Sequence, residues 1–282
     1  MDPNQLKVSN AHIDGVATLY HYQRYDEDHV VELLKTKRAF CSNISNFNDP
    51  WDCTMSFKID DDQSTSRAVN ALKAVAKPTP LGLHIDMAMD EALGNDRELL
   101  KTITTMIAEN AYNDSVEWRR IYCLTPDVKS TLMWSHYAEN HKGICLEFAV
   151  KPDNVFATAF KMIYQEEYLP VELLSTSETA FLPFIVKASC WSYEEEYRVF
   201  LRIHDPEALF HFPECMRITD NRIDLPSNCL TSIVLGCRTP WETGIRIQQL
   251  IAEYWPEVRV KKMFRHRDRY ELEIHGFDAT AH

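Results

Sequence analysis

Glycine is scarce in this chain. There are 7 in 282 residues, where average usage would give about 20. They stand at positions 15, 82, 94, 143, 236, 244 and 276, and no two lie closer than eight residues. A loop that cradles a phosphate with backbone N–H groups needs closely spaced glycines, because a Cβ would block the approach. Neither G-x-G-x-x-G nor G-x-x-x-x-G-K-[ST] can be written anywhere. Rossmann dinucleotide binding, P-loop NTPase chemistry and ordinary protein kinases are excluded on that ground.

Positive charge is short as well. The chain carries 30 Lys+Arg against 42 Asp+Glu, a net charge of −12. Extended nucleic-acid binding normally needs a basic surface, so a small substrate or a protein partner fits the bulk charge better. The densest basic stretch, KKMFRHRDR at Lys261–Arg269, still leaves room for a local rim. The eight cysteines include no C-x-x-C pair. With no apolar run near eighteen residues and no signal-like core in MDPNQLKVSN, they read as reduced thiols of a cytoplasmic protein. No disulfide framework, structural zinc site or membrane segment is expected.

What is present is an ample core: 45% hydrophobic residues, with 13 Phe, 12 Tyr and 6 Trp. The order of elements is mixed α+β, and the length predicts a single domain over 1–282. ATLYHY (17–22) reads as a strand. Asp26 caps a helix through about Arg38, and AFCS (39–42) is a short strand. Residues 64–118 read as a helical insertion broken near Pro78–Pro80 and Gly94. RIYCL (120–124) is a strand, STLMWSHYAEN (130–140) a helix ended by Gly143, and GICLEFAV (143–150) a buried strand. YEEEYRVFLRI (193–203) alternates as a strand. Thr231–Gly236 is a strand, Glu242–Trp255 an amphipathic helix, and Val258–Phe264 with Tyr270–His275 form a closing pair.

Several of these pieces carry chemistry. On a strand Glu194, Glu196 and Arg198 share one face. Two carboxylates about 7 Å apart can divide labour at a sugar centre, one stabilising an oxocarbenium-like state and one serving the nucleophile. The same run also fits a solvated acidic edge. His21, between Tyr20 and Tyr22, can bond a ribose hydroxyl or sit in the core on a backbone carbonyl. Trp134 and Tyr137 can stack a planar ring or simply pack. FNDPWDC (47–53) carries Asp49 and Asp52, as catalytic carboxylates or as Asx caps of its turn. His136 and His141 lie five apart and do not share a helix face, so no metal spacing is present.

LYHY (19–22), SNFNDPWDC (45–53), LMWSHYAENHKGICLEF (132–148) and WSYEEEYR (191–198) resemble the DUF2971 family of bacterial proteins. More distantly, the element order resembles the ADP-ribosyltransferase fold in its poly(ADP-ribose) polymerase and diphtheria-toxin-like branch. LYHY followed by a helix and AFCS matches that fold's opening strand with its histidine. RIYCL followed by Lys129-Ser130, Trp134 and Tyr137 matches its second motif, and Glu194 and Glu196 match its catalytic strand. Tyr22 departs from the pattern, since the polymerase branch usually has glycine there.

The resemblance implies an α+β fold with a split antiparallel sheet core and a helical insertion. It implies NAD as substrate, held by a cleft of side chains without a glycine-rich loop. His21 and Tyr22 would lie at the NAD site. Tyr122 and Tyr137, or Trp134, would flank the nicotinamide, with Ser130 near its carboxamide. Glu196 would bond the ribose and stabilise the oxocarbenium, and Glu194 would position the acceptor. The expected activity is ADP-ribosyl transfer or NAD hydrolysis, in a toxin or anti-phage role. The acceptor, protein or nucleic acid or water, stays open, as does any neutralising partner. Two further readings stand beside it. One is a non-catalytic module that senses a nucleotide or a phage protein. The other is a metal-dependent nuclease built on Asp49, Asp52, Asp127 and Lys129.

Overall fold

The computed structural model describes residues 7–54, 56–58, 102, 106, 116, 119–167, 170–172, 182–203, 217–218 and 220–280. In chain order the strands and helices are β1 (Thr18–Gln23), α1 (Glu27–Thr36), β2 (Arg38–Phe40), β3 (Ser56–Lys58), β4 (Arg119–Leu124), α2 (Thr131–Tyr137) and β5 (Ile144–Ala149). β6 (Phe160–Lys161), β7 (Ile163–Gln165), β8 (Pro170–Glu172), α3 (Leu182–Ile185), β9 (Val186–Ala188) and β10 (Tyr197–Ile203) follow. β11 (Arg217–Ile218), β12 (Arg222–Asp224), β13 (Leu230–Leu235), α4 (Trp241–Tyr254), β14 (Arg259–Arg265) and β15 (Leu272–Gly276) complete the chain. The fold is α+β with several sheets. The helical insertion expected at 64–118 lies outside the described residues, apart from Thr102, Met106 and Val116, each of which is helical.

The chain divides into two compact units. One takes residues 44–118 and 165–188 together with the first six; the other takes 7–43, 119–164 and 189–282. In the first unit β3 and β8 pair in parallel. The second unit is built on a five-stranded sheet in the order β1-β5-β13-β14-β15. β13 and β14 are parallel and joined through α4, while the other neighbours are antiparallel. A further sheet holds β11, β10 and β4, with β6 also on β10. The two sheets of this unit meet where Tyr20 and Thr125 exchange backbone hydrogen bonds of 2.8 and 2.9 Å.

Alternation along the strands builds two cores from one sheet. Leu19, Leu146, Phe148, Ile233 and Leu235 join Val30, Leu33 and Leu34 of α1 and Ile247, Leu250 and Ile251 of α4. Their sequence neighbours Cys145 and Val234 point to the other face and, with Tyr22, Met263 and Leu272, receive Met133, Trp134 and Ala138 of α2. This is the period-two pattern expected of a sheet buried on both sides. Asp26 does cap α1, its carboxylate accepting the His29 N–H, and Lys37 ends the helix in the left-handed region at φ 56°.

Two elements differ from the sequence expectation. The helix expected over 130–140 stops at Tyr137, because Glu139, Asn140 and His141 all take left-handed backbone at φ 49, 55 and 70°. The strand expected over 193–203 begins only at Tyr197. Residues Ser189–Glu194 form a 3-10 helix, and Glu195 turns the chain through φ 45°. Both departures are left-handed backbone choices, at three consecutive residues in the first and at one in the second, that alternation of polarity does not encode.

The left-handed turn after α2 is packed without spare room. A Cβ at Gly236 would fall on the carbonyl oxygen of His141, and one at Gly143 on that of Gln23. Gly276 in β15 has open space instead. We expect Gly143→Ala and Gly236→Ala each to cost more than about 2 kcal/mol, and Gly276→Ala to stay near wild type. Urea denaturation of the three variants checks this.

Candidate functional site

The residues expected at the NAD site all fall in the second unit. His21 lies on β1 and Tyr122 on β4, and their rings stack with centroids 4.2 Å apart and planes 20° apart. The Nδ1 of His21 lies 2.8 Å from the carbonyl oxygen of Cys123. Cys123 is in turn the register partner of Arg198 on β10. His21 therefore stands one strand away from the residues that follow Glu194 and Glu196.

Glu194 and Glu196 are both buried, at 2% and 4% exposure, although the strand that was to align them is absent. The turn at Glu195 sends that side chain to solvent and its two neighbours inward. Glu194 accepts a short hydrogen bond of 2.5 Å from the Tyr137 hydroxyl. Glu196 is held by Arg198 through two bonds, Nε to Oε1 at 2.7 Å and Nη2 to Oε2 at 2.9 Å. Arg198 is fully buried. The Glu196 backbone is fixed as well: its N–H donates to the Tyr164 hydroxyl at 2.8 Å, and its carbonyl accepts from Met162 N at 2.9 Å.

The other expected residues sort by exposure. Trp134 is fully buried, its indole N–H on the Val128 carbonyl at 2.8 Å. Its ring edge meets Tyr22 at 5.0 Å. Trp134 thus takes the core-packing place that the sequence also allows. Tyr22 is likewise core, donating to the Asp127 carbonyl at 2.8 Å. Ser130 is the N-cap of α2, accepting from Met133 N at 3.3 Å. Tyr122 is buried against His21, Phe148 and Phe156. Its hydroxyl has no hydrogen-bond partner among the described residues, a cost that burial without compensation imposes.

Tyr137 stays partly exposed on α2. Near it His136 approaches Tyr193 at 6.2 Å, and Tyr193 approaches Trp191 at 6.1 Å. His21 and Tyr20 are also partly exposed.

Burial sets the protonation states. It pushes the His21 pKa down to about 4, against the opposing pull of the Cys123 carbonyl, so the ring is neutral near pH 7. It pushes the Tyr20 phenol up to about 12, with help from the nearby Glu147 charge. Burial also acts to raise Glu147, but hydrogen bonds from Lys261 at 2.6 Å and Ser232 at 2.6 Å outweigh it and leave the carboxyl below its ordinary value. This Glu147–Lys261 pair, which reaches across β13 from β5 to β14, is absent from the sequence expectations. Nothing short of strand order reveals it, since the two residues are 114 positions apart.

The carboxylates of the nuclease reading are divided between the two units. Asp127 caps its own turn through Lys129 N at 2.7 Å. In the other unit Asp52 pairs with buried Lys187 at 3.5 Å, and Asp49 accepts from Trp51 N at 3.0 Å. Among the described residues no group of three or more His, Cys, Asp or Glu is placed to hold a metal ion. No described helix is long and apolar enough to cross a membrane.

With the geometry in place, comparison with known proteins adds one match. The model of a family described as "Protein of unknown function (DUF2971)" covers residues 133–199. That stretch runs from α2 to the start of β10 and includes Tyr137, Glu194, Glu196 and Arg198. The chain is similar to that family over this part of its length. No curated protein and no solved structure matches it.

Two outcomes test the site. The folded pKa of His21 lies below the unfolded value of about 6.5, so the unfolded chain takes the proton first. Stability attributable to a neutral His21 is present above pH 6.5 and lost as pH falls toward 4. Urea melts should show the wild type losing roughly 3 kcal/mol relative to His21→Gln between pH 7 and pH 4. Separately, Arg198→Met leaves the Glu196 charge buried without its partner and should cost about 3–5 kcal/mol. The double variant Arg198→Met with Glu196→Leu should recover most of that loss in the same denaturation assay.

Proposed function

We propose that the chain binds NAD and breaks its nicotinamide–ribose bond, transferring ADP-ribose to an acceptor or to water. One observation carries the reading. His21 on β1 and the segment that runs from Glu194 and Glu196 into β10 both meet β4 at Cys123, which contacts His21 and pairs with Arg198. A neutral imidazole on one side of β4 and buried carboxylates leading into the strand on its other side suit a ligand that offers ribose hydroxyls and a cationic ring. The scarcity of glycine agrees, since nothing here requires a phosphate loop.

In this reading the C1′–N bond breaks with its electron pair going to the nicotinamide nitrogen. The positive charge left on the ribose meets the negative field of the carboxylates. The acceptor then bonds C1′ and gives up its proton. Glu194, addressed by Tyr137, is the carboxylate that meets the ribose and takes that proton. Glu196, with both oxygens on Arg198, fixes the position of Glu194 and of β10. Tyr137 takes the ring-flanking place and His21 a ribose hydroxyl.

A second reading, a nucleotide-sensing module without catalysis, is favoured by the same Glu196–Arg198 pair. A carboxylate bonded twice to a buried guanidinium is what a structural ion pair looks like.

Incubation with NAD labelled in the adenylate half, followed by chromatography for nicotinamide and by gel for label transfer, separates the two. The enzyme reading expects nicotinamide release, lowered about a hundredfold or more by Glu194→Gln. NAD binding by calorimetry with no release in either form would establish the sensor instead. Absence of both binding and release overturns both readings.

A further inference from the structure

The last two strands carry a surface that NAD chemistry leaves unused. Between Arg259 and Gly276 there are six Lys or Arg against three Asp or Glu, in a chain whose net charge is −12. β14 and β15 are antiparallel, with β15 at the edge of the sheet. Their connection is closed by His266 N on the Glu271 carbonyl at 2.9 Å. Within it the Asp268 N–H donates to His266 Nδ1 at 3.0 Å. The positive charges are thus presented on a defined hairpin and not on a loose tail.

Not all of these charges are spoken for in the same way. Lys261 is paired with Glu147 at 2.6 Å, and Arg269 lies 3.4 Å from Glu271. Lys262 is buried against the carbonyls of Gly236 and Thr239. Arg265 and Arg267 are exposed and have no partner among the described residues. Between and beside them stand two exposed rings. Tyr270 is fully open at 108% and Phe264 is 38% exposed, its ring against His275 at 5.5 Å.

We infer that the β14–β15 hairpin docks single-stranded nucleic acid, with Arg265 and Arg267 on phosphates and Tyr270 and Phe264 against bases. Guanidinium groups left without carboxylates fit phosphate oxygens in a forked geometry. An aromatic ring held out in solvent gains by stacking on a base, and only unpaired bases offer a free face. The acidic remainder of the chain repels the same ligand, which confines binding to the hairpin. The inference holds whether or not the chain cleaves NAD.

The test is fluorescence anisotropy of the full chain with a labelled single-stranded oligonucleotide, in RNA and DNA forms, and with a duplex of the same length. Affinity for the single strand should fall as salt rises from about 50 to 200 mM. Arg265→Glu with Arg267→Glu should weaken binding about tenfold or more at the lower salt and reduce the slope of log K against log salt by about 1.4. Tyr270→Ala should weaken single-strand binding while leaving that slope unchanged. All altered side chains are exposed, and unchanged thermal melts confirm that the variants fold. Absence of salt-dependent binding, wild-type affinity in the charge-reversed variant, or equal affinity for the duplex overturns the inference. So does self-association in light scattering that the charge reversal abolishes, because the hairpin would then serve a second copy of the chain.

Discussion

The Glu196–Arg198 ion pair is the constraint from which the site is built. Arg198 has no exposure and Glu196 almost none, and a buried charge is tolerated only when it is paired and its remaining hydrogen-bonding groups are met. The pair therefore fixes more than two side chains. It sets where β10 begins, and Arg198 in that strand lies opposite Cys123. It also holds the residue beside the left-handed turn at Glu195, the turn that sends Glu194 back toward Tyr137. Through Cys123 the same arrangement reaches His21.

Burial shapes the titration of the groups at the join. The His21 ring is neutral because burial disfavours its charged form, and its stacking partner Tyr122 has a hydroxyl without a partner among the described residues. Groups in such surroundings interact with a ligand more strongly than the same groups in water.

Sequence alone locates most of the framework. Polarity of period two finds β1, β4, β5, β13 and β14 nearly to the residue, because each is buried on at least one face. Asp26 and Ser130 announce the starts of α1 and α2 by their chemistry as caps. The pairing of Glu196 with Arg198 two residues on agrees with the face that alternation gives them, whereas Glu194 lies in a 3-10 helix and not on that strand. What composition hides is backbone sign: nothing in EEE or ENH marks Glu195 or Glu139–His141 as left-handed. Exposure is hidden too. Trp134 and Tyr137 are three apart on one short helix, yet one is sealed in the core and the other partly open, and only the assembled sheet decides which. Long-range pairs such as Glu147 with Lys261 need the strand order before they can be seen.

The meeting of β1 with β4 also governs how the chain can vary. His21 and Cys123 are in contact across 102 positions, and the chain leaves this unit after Asn43 and returns at Arg119. The contact therefore closes a very long loop. Closure entropy grows only with the logarithm of loop length, so doubling the excursion costs about 0.6 kcal/mol. The segment between β2 and β4 can gain or lose whole elements while the join that carries His21 and Tyr122 keeps its register. Lengthening the two-residue step from Tyr122 to Leu124 would destroy that register outright. Tolerance to insertion is thus distributed very unevenly along this chain, and it is least where the two sheets touch.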